Sequence, residues 1–112
     1  MSRNRGSEFE TQACRYLEQQ GLVLLGRNWH CRFGEIDLIM QDGPYRAFIE
    51  VRARADSRFG GAAASINADK CRKLQAAANL YLSQNGGAGR CRFDAVLFDG
   101  DRAPVWLKNI IS

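Results

Sequence analysis

The sequence predicts one α/β domain in which helices flank a mixed β-sheet. Two segments carry apolar residues at helical spacing, and five shorter apolar runs are typical of strands. Apolar residues make up 46% of the chain and charged residues 25%, which excludes disordered, collagen-like and low-complexity proteins. A length of 112 residues allows one compact core, so residues 1–112 are expected to form a single domain.

The first predicted helix covers Ser7 to Gln20 and ends before Gly21, a residue type common just beyond helix C-termini. Its apolar stripe consists of Phe9, Ala13, Tyr16 and Leu17. Leu22 to Trp29 is the first predicted strand. The next two strands are Gly34 to Gln41 and Tyr45 to Arg54, joined by the turn sequence Asp42-Gly43-Pro44, so the three strands form a meander.

The segment from Ala55 to Ala64 is rich in alanine and glycine and is predicted to be a mobile connection. A second helix is predicted from Ile66 to Gln84, with Ser65 or Asn67 as its N-cap. Its apolar positions are Cys71, Leu74, Ala78, Tyr81 and Leu82.

The last two predicted strands are Cys91 to Phe98 and Val105 to Ile110, separated by a turn at Asp99-Gly100-Asp101. The element order is therefore α-β-β-β-α-β-β. A meander, a crossover helix and a further strand build a mixed sheet, and we expect one helix on each of its faces.

Several kinds of site and location are disfavoured by the sequence. The longest apolar run, around Leu22 to Leu25, is far shorter than the roughly 20 residues of a membrane-spanning helix. The charged N-terminus has no apolar segment behind it, so a cytoplasmic protein is expected. The four cysteines form no C-x-x-C pair and His30 has no spaced partner, which disfavours a thiolate zinc site.

The charge distribution favours a polyanionic partner. The net charge is +4, and all of this excess lies in the second half, since residues 1–56 carry eight basic and eight acidic residues while residues 57–112 carry eight and four. Thirteen of the sixteen bases are arginine, which suits bidentate phosphate contacts. A bias of the genome toward arginine codons explains the same composition equally well.

Two carboxylates lie in unusual positions on neighbouring strands. Strict alternation puts Asp37 on one face of its strand with Glu35 and Ile39, opposite Ile36, Leu38 and Met40. On the next strand it puts Glu50 on one face with Phe48, Arg52 and Arg54, opposite Ala47, Ile49, Val51 and Ala53. The turn between these strands can bring Asp37 and Glu50 side by side, where they would repel each other and resist ionisation.

A positive group must compensate for this repulsion. The candidates are a divalent cation held between the carboxylates or the side chain of Arg52. Glu10 lies in line with the apolar stripe of the first helix and could add a third acid. Taken singly, Glu10 could be a helix-dipole partner, Asp37 a turn or cap acid and Glu50 half of a salt bridge. Their combination suits Mg²⁺ binding and water activation.

The run GEIDLIMQDGPYRAFIEVRAR, followed by RFGG, a helix carrying Lys70 and the segment CRFDAVLFDG, resembles the YraN-like family of small bacterial proteins. That family is a branch of the PD-(D/E)XK nuclease superfamily, related to Holliday-junction resolvases. The resemblance covers nearly the whole chain and implies a restriction-endonuclease-like, nuclease-like domain using Mg²⁺ or Mn²⁺. It also implies that Asp37 and Glu50 are catalytic metal ligands, with Glu10 and the Val51 carbonyl as further ligands.

One position departs from the superfamily pattern. The E-x-K motif is replaced by Glu50-Val51-Arg52, and a guanidinium can stabilise charge and hold a water but cannot accept a proton. A metal-bound oxygen or the phosphate itself could take that proton, which is the interpretation we favour, or Lys70 could replace the missing amine. The other cations expected to line a phosphate track, or else a solvated face, are Arg54, Arg58, Lys70, Arg72 and Lys73.

The favoured hypothesis is a metal-dependent endonuclease acting on structured or branched DNA, with Arg52 stabilising the transition state. Two alternatives stay open. One is a catalytically weak or inactive nuclease-fold protein that binds nucleic acid or scaffolds a complex. The other is a dimeric interaction module with neither DNA nor metal. A homodimer is expected for the nuclease, because one small domain offers one cleft and symmetric cutting of two strands needs two.

Overall fold

The computed structural model describes residues 2–56, 58–86 and 89–111, with the side chains of residues 2–6 and 59 left aside. Two long helices and five strands account for most of these residues. In chain order the elements are α1 (Ser2–Gln19), β1 (Val23–Cys31), β2 (Gly34–Asp42), β3 (Tyr45–Arg54), a 3₁₀ turn (Arg58–Gly60), α2 (Gly61–Ala64), α3 (Ala68–Asn85), β4 (Arg90–Asp99) and β5 (Val105–Leu107).

The five strands form one mixed sheet in the order β1-β2-β3-β4-β5. Strands β3 and β4 pair in parallel from Tyr45↔Arg90 to Arg54↔Asp99, while the other neighbours are antiparallel. A parallel pair needs a crossover connection, and α3 supplies it. The predicted mixed sheet with flanking helices is therefore confirmed.

The two long helices cover opposite faces of the sheet. On one face, α1 buries Ala13, Cys14 and Leu17 against sheet residues that include Leu38 and Ile49. On the other face, the buried residues of α3 are Leu74, Ala77 and Ala78, and the sheet residues against them are Ile36, Ile39 and Phe48. None of the helices in the described ranges combines the length and hydropathy that crossing a lipid bilayer requires.

The connection after β3 is more ordered than the sequence predicts. Residues 58–64 form the 3₁₀ turn and α2, and Gly61 and Ala62 are buried. The amide of Ala62 donates a hydrogen bond of 2.7 Å to Asp99 Oδ1 at the end of β4, so this loop is tied to the sheet. Within the predicted mobile connection over Ala55 to Ala64, residue 57 lies outside the described residues, and residues 58–64 are helical because a carboxylate distant in sequence supplies a hydrogen-bond partner.

Helix α3 begins two residues later than predicted, at Ala68, and Asn67 is its N-cap. The Asn67 side chain accepts a hydrogen bond of 2.9 Å from the amide of Lys70. Of the two predicted caps, Asn67 is therefore the one confirmed. This cap fixes where the first turn of α3 starts, and that turn carries Lys70 toward the sheet.

Strand β5 ends at Leu107, although the sequence predicts a strand to Ile110. The chain turns at Asn109, which has a φ of 61° and donates its amide to Asp94 Oδ1 at 2.9 Å. Asp94 is fully buried and also accepts from the Trp106 indole at 3.1 Å and from Arg92 Nε at 3.0 Å. The strand ends early because this buried carboxylate, and not a neighbouring strand, accepts the hydrogen bond of the Asn109 amide.

Candidate functional site

The sheet opens between β2 and β3 at the level of Asp37. Antiparallel pairing of these strands runs from the turn to Leu38↔Ile49 and stops there. Beyond that point the Asp37 Oδ2 atom accepts a hydrogen bond of 2.8 Å from the amide of Val51. The Asp37 side chain thus accepts the hydrogen bond that a backbone carbonyl of β2 would accept in a continuous sheet. This contact fixes the orientation of the Asp37 carboxylate.

Strand β1 also changes at this level. Asn28 has a φ of 51°, a left-handed conformation that asparagine tolerates better than most residues. On one side of it, Arg27 donates to Thr11 Oγ1 of α1 at 3.1 Å, whereas on the other side Trp29 packs edge-on against Tyr81 of α3 at 5.3 Å. The face that β1 presents to each helix therefore reverses at Asn28.

The same reversal affects β2 and corrects one prediction. Ile36 packs with Ile39 on the α3 side, whereas Leu38 packs on the α1 side. Strict alternation placed Ile36 with Leu38, and this was wrong because the regular pleat is interrupted at Asp37. The interruption turns Asp37 toward the helix α1 acid instead of into the core.

Four carboxylates meet in the opening. Carboxylate oxygens of Glu10 on α1 and of Glu35 and Asp37 on β2 lie within 4.8 Å of one another. Glu50 on β3 lies next to Asp37 and raises its pKa. All four side chains line one cleft with a volume of about 970 Å³. The expected convergence of Glu10, Asp37 and Glu50 is found in the structure, with Glu35 as an additional member.

Burial and mutual repulsion raise the pKa values of Asp37 and Glu50. Burial, followed by the charge of Glu50, raises the pKa of Asp37 to about 8, although the Val51 amide acts in the opposite direction. Burial also raises the pKa of Glu50 against the opposing charges of Arg52 and Lys70. Such a set of oxygens, short of positive charge, matches the ligands that Mg²⁺ and Mn²⁺ prefer.

Burial likewise raises the pKa of Glu10, while a hydrogen bond with Asn28 lowers it. Arg27 Nη2 lies 3.9 Å from Glu10 Oε1, so β1 supplies two of the three neighbours that oppose the effect of burial, and Asp37 on β2 is the third. Asn28 thus redirects β1 through its left-handed backbone, and its side chain lies next to the helix acid.

Among the described arginines and lysines, Arg52 lies closest to the four acids. Its Nη1 lies 3.5 Å from Glu50 Oε2, and its Nε donates to Ser65 Oγ at 2.9 Å. Ser65 Oγ in turn donates to the carbonyl of Ala62 at 2.6 Å. Because Asp99 anchors Ala62, the guanidinium is positioned through α2 by the far end of β4.

The remaining predicted cations are placed unequally. Lys70, Lys73 and Arg54 line the cleft, with Lys73 Nζ 3.2 Å from Asp69. Arg58 lines a smaller neighbouring cleft together with Arg54.

Two arginines of the predicted phosphate track have acidic neighbours. Arg58 pairs with Asp56 at 2.9 Å. Arg72 pairs with Asp69 at 3.1 Å and, within the described ranges, is outside the residues that line the main cleft. Lys70 and Arg54 are therefore better placed than Arg58 and Arg72 to meet a ligand in the cleft.

Sequence reasoning did not single out Glu35, Asn28 or Ser65 as residues of the site. Glu35 was detectable, since it precedes Asp37 by two residues and alternation puts both on one face. Asn28 and Ser65 carried no such signal, because their roles depend on a local left-handed residue and on a helix that is tied down by a distant carboxylate.

The elevated acid pKa values predict how stability depends on pH. Between the ordinary aspartate value of 3.8 and about 8, the folded protein keeps a proton that the unfolded chain releases. The free energy of unfolding of the metal-free protein should therefore fall as pH rises through this window, at a cost of at most about 1.4 kcal/mol per pH unit for one group. Urea denaturation in EDTA at pH 5 and pH 8 measures this.

The Asp37→Asn variant isolates the contribution of that group. Because asparagine is neutral at both pH values, the variant should gain stability relative to the wild type on going from pH 5 to pH 8. The difference in free energy of unfolding between variant and wild type should therefore change from pH 5 to pH 8. If it stays the same or changes in the opposite direction, Asp37 is ionised in the native protein near neutrality.

The fold and the cleft together define an α/β protein with a five-stranded sheet and a carboxylate-lined cleft where the sheet opens. The chain belongs to the "Uncharacterised protein family UPF0102", whose sequence model matches residues 9–98. This is the YraN-like family that the sequence resembles, so that part of the prediction is confirmed.

Several UPF0102 proteins are similar to this chain along most of their length. A protein of Nitrosomonas eutropha is 52% identical over 108 residues, covering 96% of this chain and 93% of its own. One from Neisseria gonorrhoeae is 48% identical over 111 residues, covering 98% and 96%. One from Burkholderia pseudomallei is 53% identical over 109 residues, covering 96% of this chain and 74% of its own.

Proposed function

We propose that this protein is a divalent-metal-dependent endonuclease that hydrolyses phosphodiester bonds of structured or branched DNA. In this proposal the sheet and its helices are a restriction-endonuclease-like fold of the PD-(D/E)XK superfamily. The observation that carries the proposal is the convergence of four acids from three separate elements beside two cations, in one open cleft. These residues are Glu10, Glu35, Asp37, Glu50, Arg52 and Lys70.

The chemistry of the donor set fits a hard divalent cation. Only oxygen atoms face one another in the acid cluster, and burial disfavours their ionisation unless a positive charge enters. The proposed ligands are Glu10, Asp37, Glu50 and the carbonyl of Val51, with Glu35 within reach. When bound, Mg²⁺ or Mn²⁺ supplies Lewis-acid stabilisation of the charge on a phosphoryl oxygen.

Arg52 has the role of holding the reacting phosphate. Ser65 and Glu50 fix its guanidinium from two sides, which leaves a planar group with further N–H donors beside the acids. Such a fork suits two phosphate oxygens and stabilises the charge that builds up in the transition state. Since a guanidinium stays protonated, Arg52 orients and stabilises but does not accept the proton of the attacking water.

The phosphates on either side of the reacting group would be held by cations that line the cleft. Lys70 faces Glu50 across the cleft closely enough to lower its pKa, and Lys73 and Arg54 complete the lining. Arg58 and Arg72 lie further out, each paired with an aspartate. In this arrangement Lys70 and Arg54 contact the DNA backbone directly. Arg58 and Arg72 contact it only after their ion pairs with Asp56 and Asp69 break.

The direct test is hydrolysis of branched, single-stranded and linear duplex DNA by the wild-type protein with Mg²⁺ or Mn²⁺. We expect cleavage of at least the branched or single-stranded DNA with either metal, and none in EDTA. Cleavage that persists in EDTA, or none with any of the three DNAs, would contradict the proposal.

The 3.5 Å ion pair between Arg52 and Glu50 supports a second candidate. A permanent pair would neutralise one acid and leave a catalytically weak or inactive protein that binds nucleic acid or scaffolds a complex. Replacing Arg52 with lysine separates the two. The endonuclease retains or gains cleavage in Arg52→Lys, because this restores the E-x-K pattern, whereas the binding protein shows only a small change in stability.

A second prediction concerns stabilisation by the cation. A ligand that binds only the folded state at ten times its Kd adds about 1.4 kcal/mol, which raises the Tm of a domain of this size by roughly 4 °C or more. We expect millimolar Mg²⁺ to produce such a rise in thermal denaturation. The paired Glu50→Gln variant should lose the shift, and equal shifts in both proteins would place the cation elsewhere.

Homodimerisation is also part of the proposal, because the described residues of one chain form one acid cleft and symmetric cleavage of two strands needs two. Light scattering on the protein bound to branched DNA measures the stoichiometry. A single chain per DNA at saturation would contradict a dimeric endonuclease.

A further inference from the structure

We infer that the tip of the β1–β2 hairpin, formed by Arg32 and Phe33, is a stacking site for an unpaired nucleobase next to the phosphate in the cleft. This inference rests on the proposed function. It narrows the substrate to nucleic acid with an unpaired base at or beside the cleaved bond.

The tip lies at the edge of the acid cleft. Pairing of Cys31 with Gly34 closes the hairpin, so Arg32 and Phe33 are the two residues of the turn. The next two residues, Gly34 and Glu35, both line the cleft. A nucleotide whose phosphate contacts the acids and Arg52 therefore has the hairpin tip within the reach of a neighbouring base.

The composition of the turn is unusual for a two-residue hairpin. Two-residue hairpin turns favour asparagine, aspartate and glycine, which adopt positive φ with little strain. Here neither turn residue has a positive φ, a conformation found outside glycine only at Asn28 and Asn109 in the described ranges. Phe33 keeps 36% of its surface exposed and belongs to none of the hydrophobic clusters of the described residues, so core packing does not account for a phenyl ring at this position.

The ring is joined by an unneutralised cation. The Arg32 guanidinium carbon lies 4.7 Å from the centroid of the Phe33 ring, and among the described side chains no carboxylate forms an ion pair with Arg32. An aromatic ring and a guanidinium plane are the two surfaces on which unpaired bases stack in single-stranded nucleic acid recognition. Arg32 also attracts the phosphate of the same nucleotide, which a purely apolar protein contact would not need.

The inference is tested with two DNA probes and Ca²⁺ in place of Mg²⁺, so that binding is measured without hydrolysis. One probe carries 2-aminopurine as an unpaired base at a duplex end, and the other is the matched blunt duplex. Binding to the wild type should quench the unpaired 2-aminopurine. Phe33→Ala should weaken binding of the first probe about tenfold and change that of the blunt duplex less than twofold.

Two further variants serve as controls. Phe33→Trp keeps an aromatic face and should restore quenching and affinity. Leu25→Ala removes an apolar side chain that is 44% exposed on β1, away from the turn, and should bind both probes like the wild type. Thermal denaturation confirms that each variant is folded.

Equal affinities of Phe33→Ala and Leu25→Ala for the unpaired probe would overturn the stacking site. So would an equal loss for both probes, since a stacking contact requires an unpaired base. If the wild type cleaves DNA but Phe33→Ala and Leu25→Ala bind the unpaired probe equally well, this inference is overturned and the proposed function is not. A wild type that neither binds nor cleaves any nucleic acid overturns the proposed function together with it, and leaves the exposed ring to a protein partner.

Discussion

The Asp37→Asn variant is expected to lose metal-dependent DNA cleavage by roughly a thousandfold, because a bound cation contributes several kcal/mol to the stabilisation of the transition state. Asparagine keeps the size of the side chain. Its amide oxygen can still accept the hydrogen bond that the Val51 amide donates to Asp37 at 2.8 Å. It removes the negative charge that the cation requires. The measurement is the single-turnover cleavage rate at saturating Mg²⁺.

The same variant should be folded, and in EDTA at pH 8 it should be at least as stable as the wild type. Its neutral side chain relieves the repulsion with Glu50 that raises the Asp37 pKa. A matched control is Glu18→Gln, which removes an exposed carboxylate of α1 outside the cleft and should cleave at the wild-type rate. Cleavage by Asp37→Asn at that same rate would contradict the assignment of Asp37 as a ligand.

The largest expected effect on stability comes from Asp94→Ala. Removing one partner of a buried ion pair costs about 3–5 kcal/mol, because the other charge is left without compensation. Asp94 is fully buried, and Arg92 approaches it at 2.9 Å while Trp106 and the Asn109 amide donate to it. Its loss leaves Arg92 with Asp42 as its remaining acidic partner and frees the segment after β5.

Urea denaturation gives the free energy of unfolding of this variant. Asp94→Asn is a milder second variant, since its amide oxygen can still accept one of the hydrogen bonds, and it should fall between alanine and the wild type. The control is Asp69→Ala on the exposed face of α3, whose denaturation midpoint should stay close to that of the wild type. Similar midpoints for Asp94→Ala and Asp69→Ala would contradict a structural role for Asp94.

Much of the fold was predictable because its signals are local. Apolar periodicity located α1 and α3, and the Asp42-Gly43-Pro44 sequence located the turn between β2 and β3. The helical structure of residues 58–64 was not predicted, because it is held by a hydrogen bond from Ala62 to Asp99, a residue 37 positions away. Composition reports what a segment favours alone and does not reveal such a distant partner.

The acid site was predictable in part for the same reason. The spacing of Asp37 and Glu50 about a turn is a local feature that sets them near each other, and helical spacing points Glu10 toward the sheet. The way they meet was not predictable. It depends on the left-handed Asn28 and on pairing that ends at Leu38↔Ile49, and these breaks in regular geometry make room for carboxylates between two strands.

A methyl group at residue 61 would meet Asp99 Oδ1 at 2.5 Å, and the backbone there has a φ of 62° that side chains rarely adopt. Any mutation of Gly61 must displace the Asp99 carboxylate, which accepts the Ala62 amide hydrogen bond. A shift of Ala62 moves the Ser65 hydroxyl that donates to its carbonyl. The guanidinium of Arg52, which donates to Ser65, then moves as well. The acids would stay where they are. A position without any polar side chain of its own would thus tune the cationic half of the site without contacting any of the four acids.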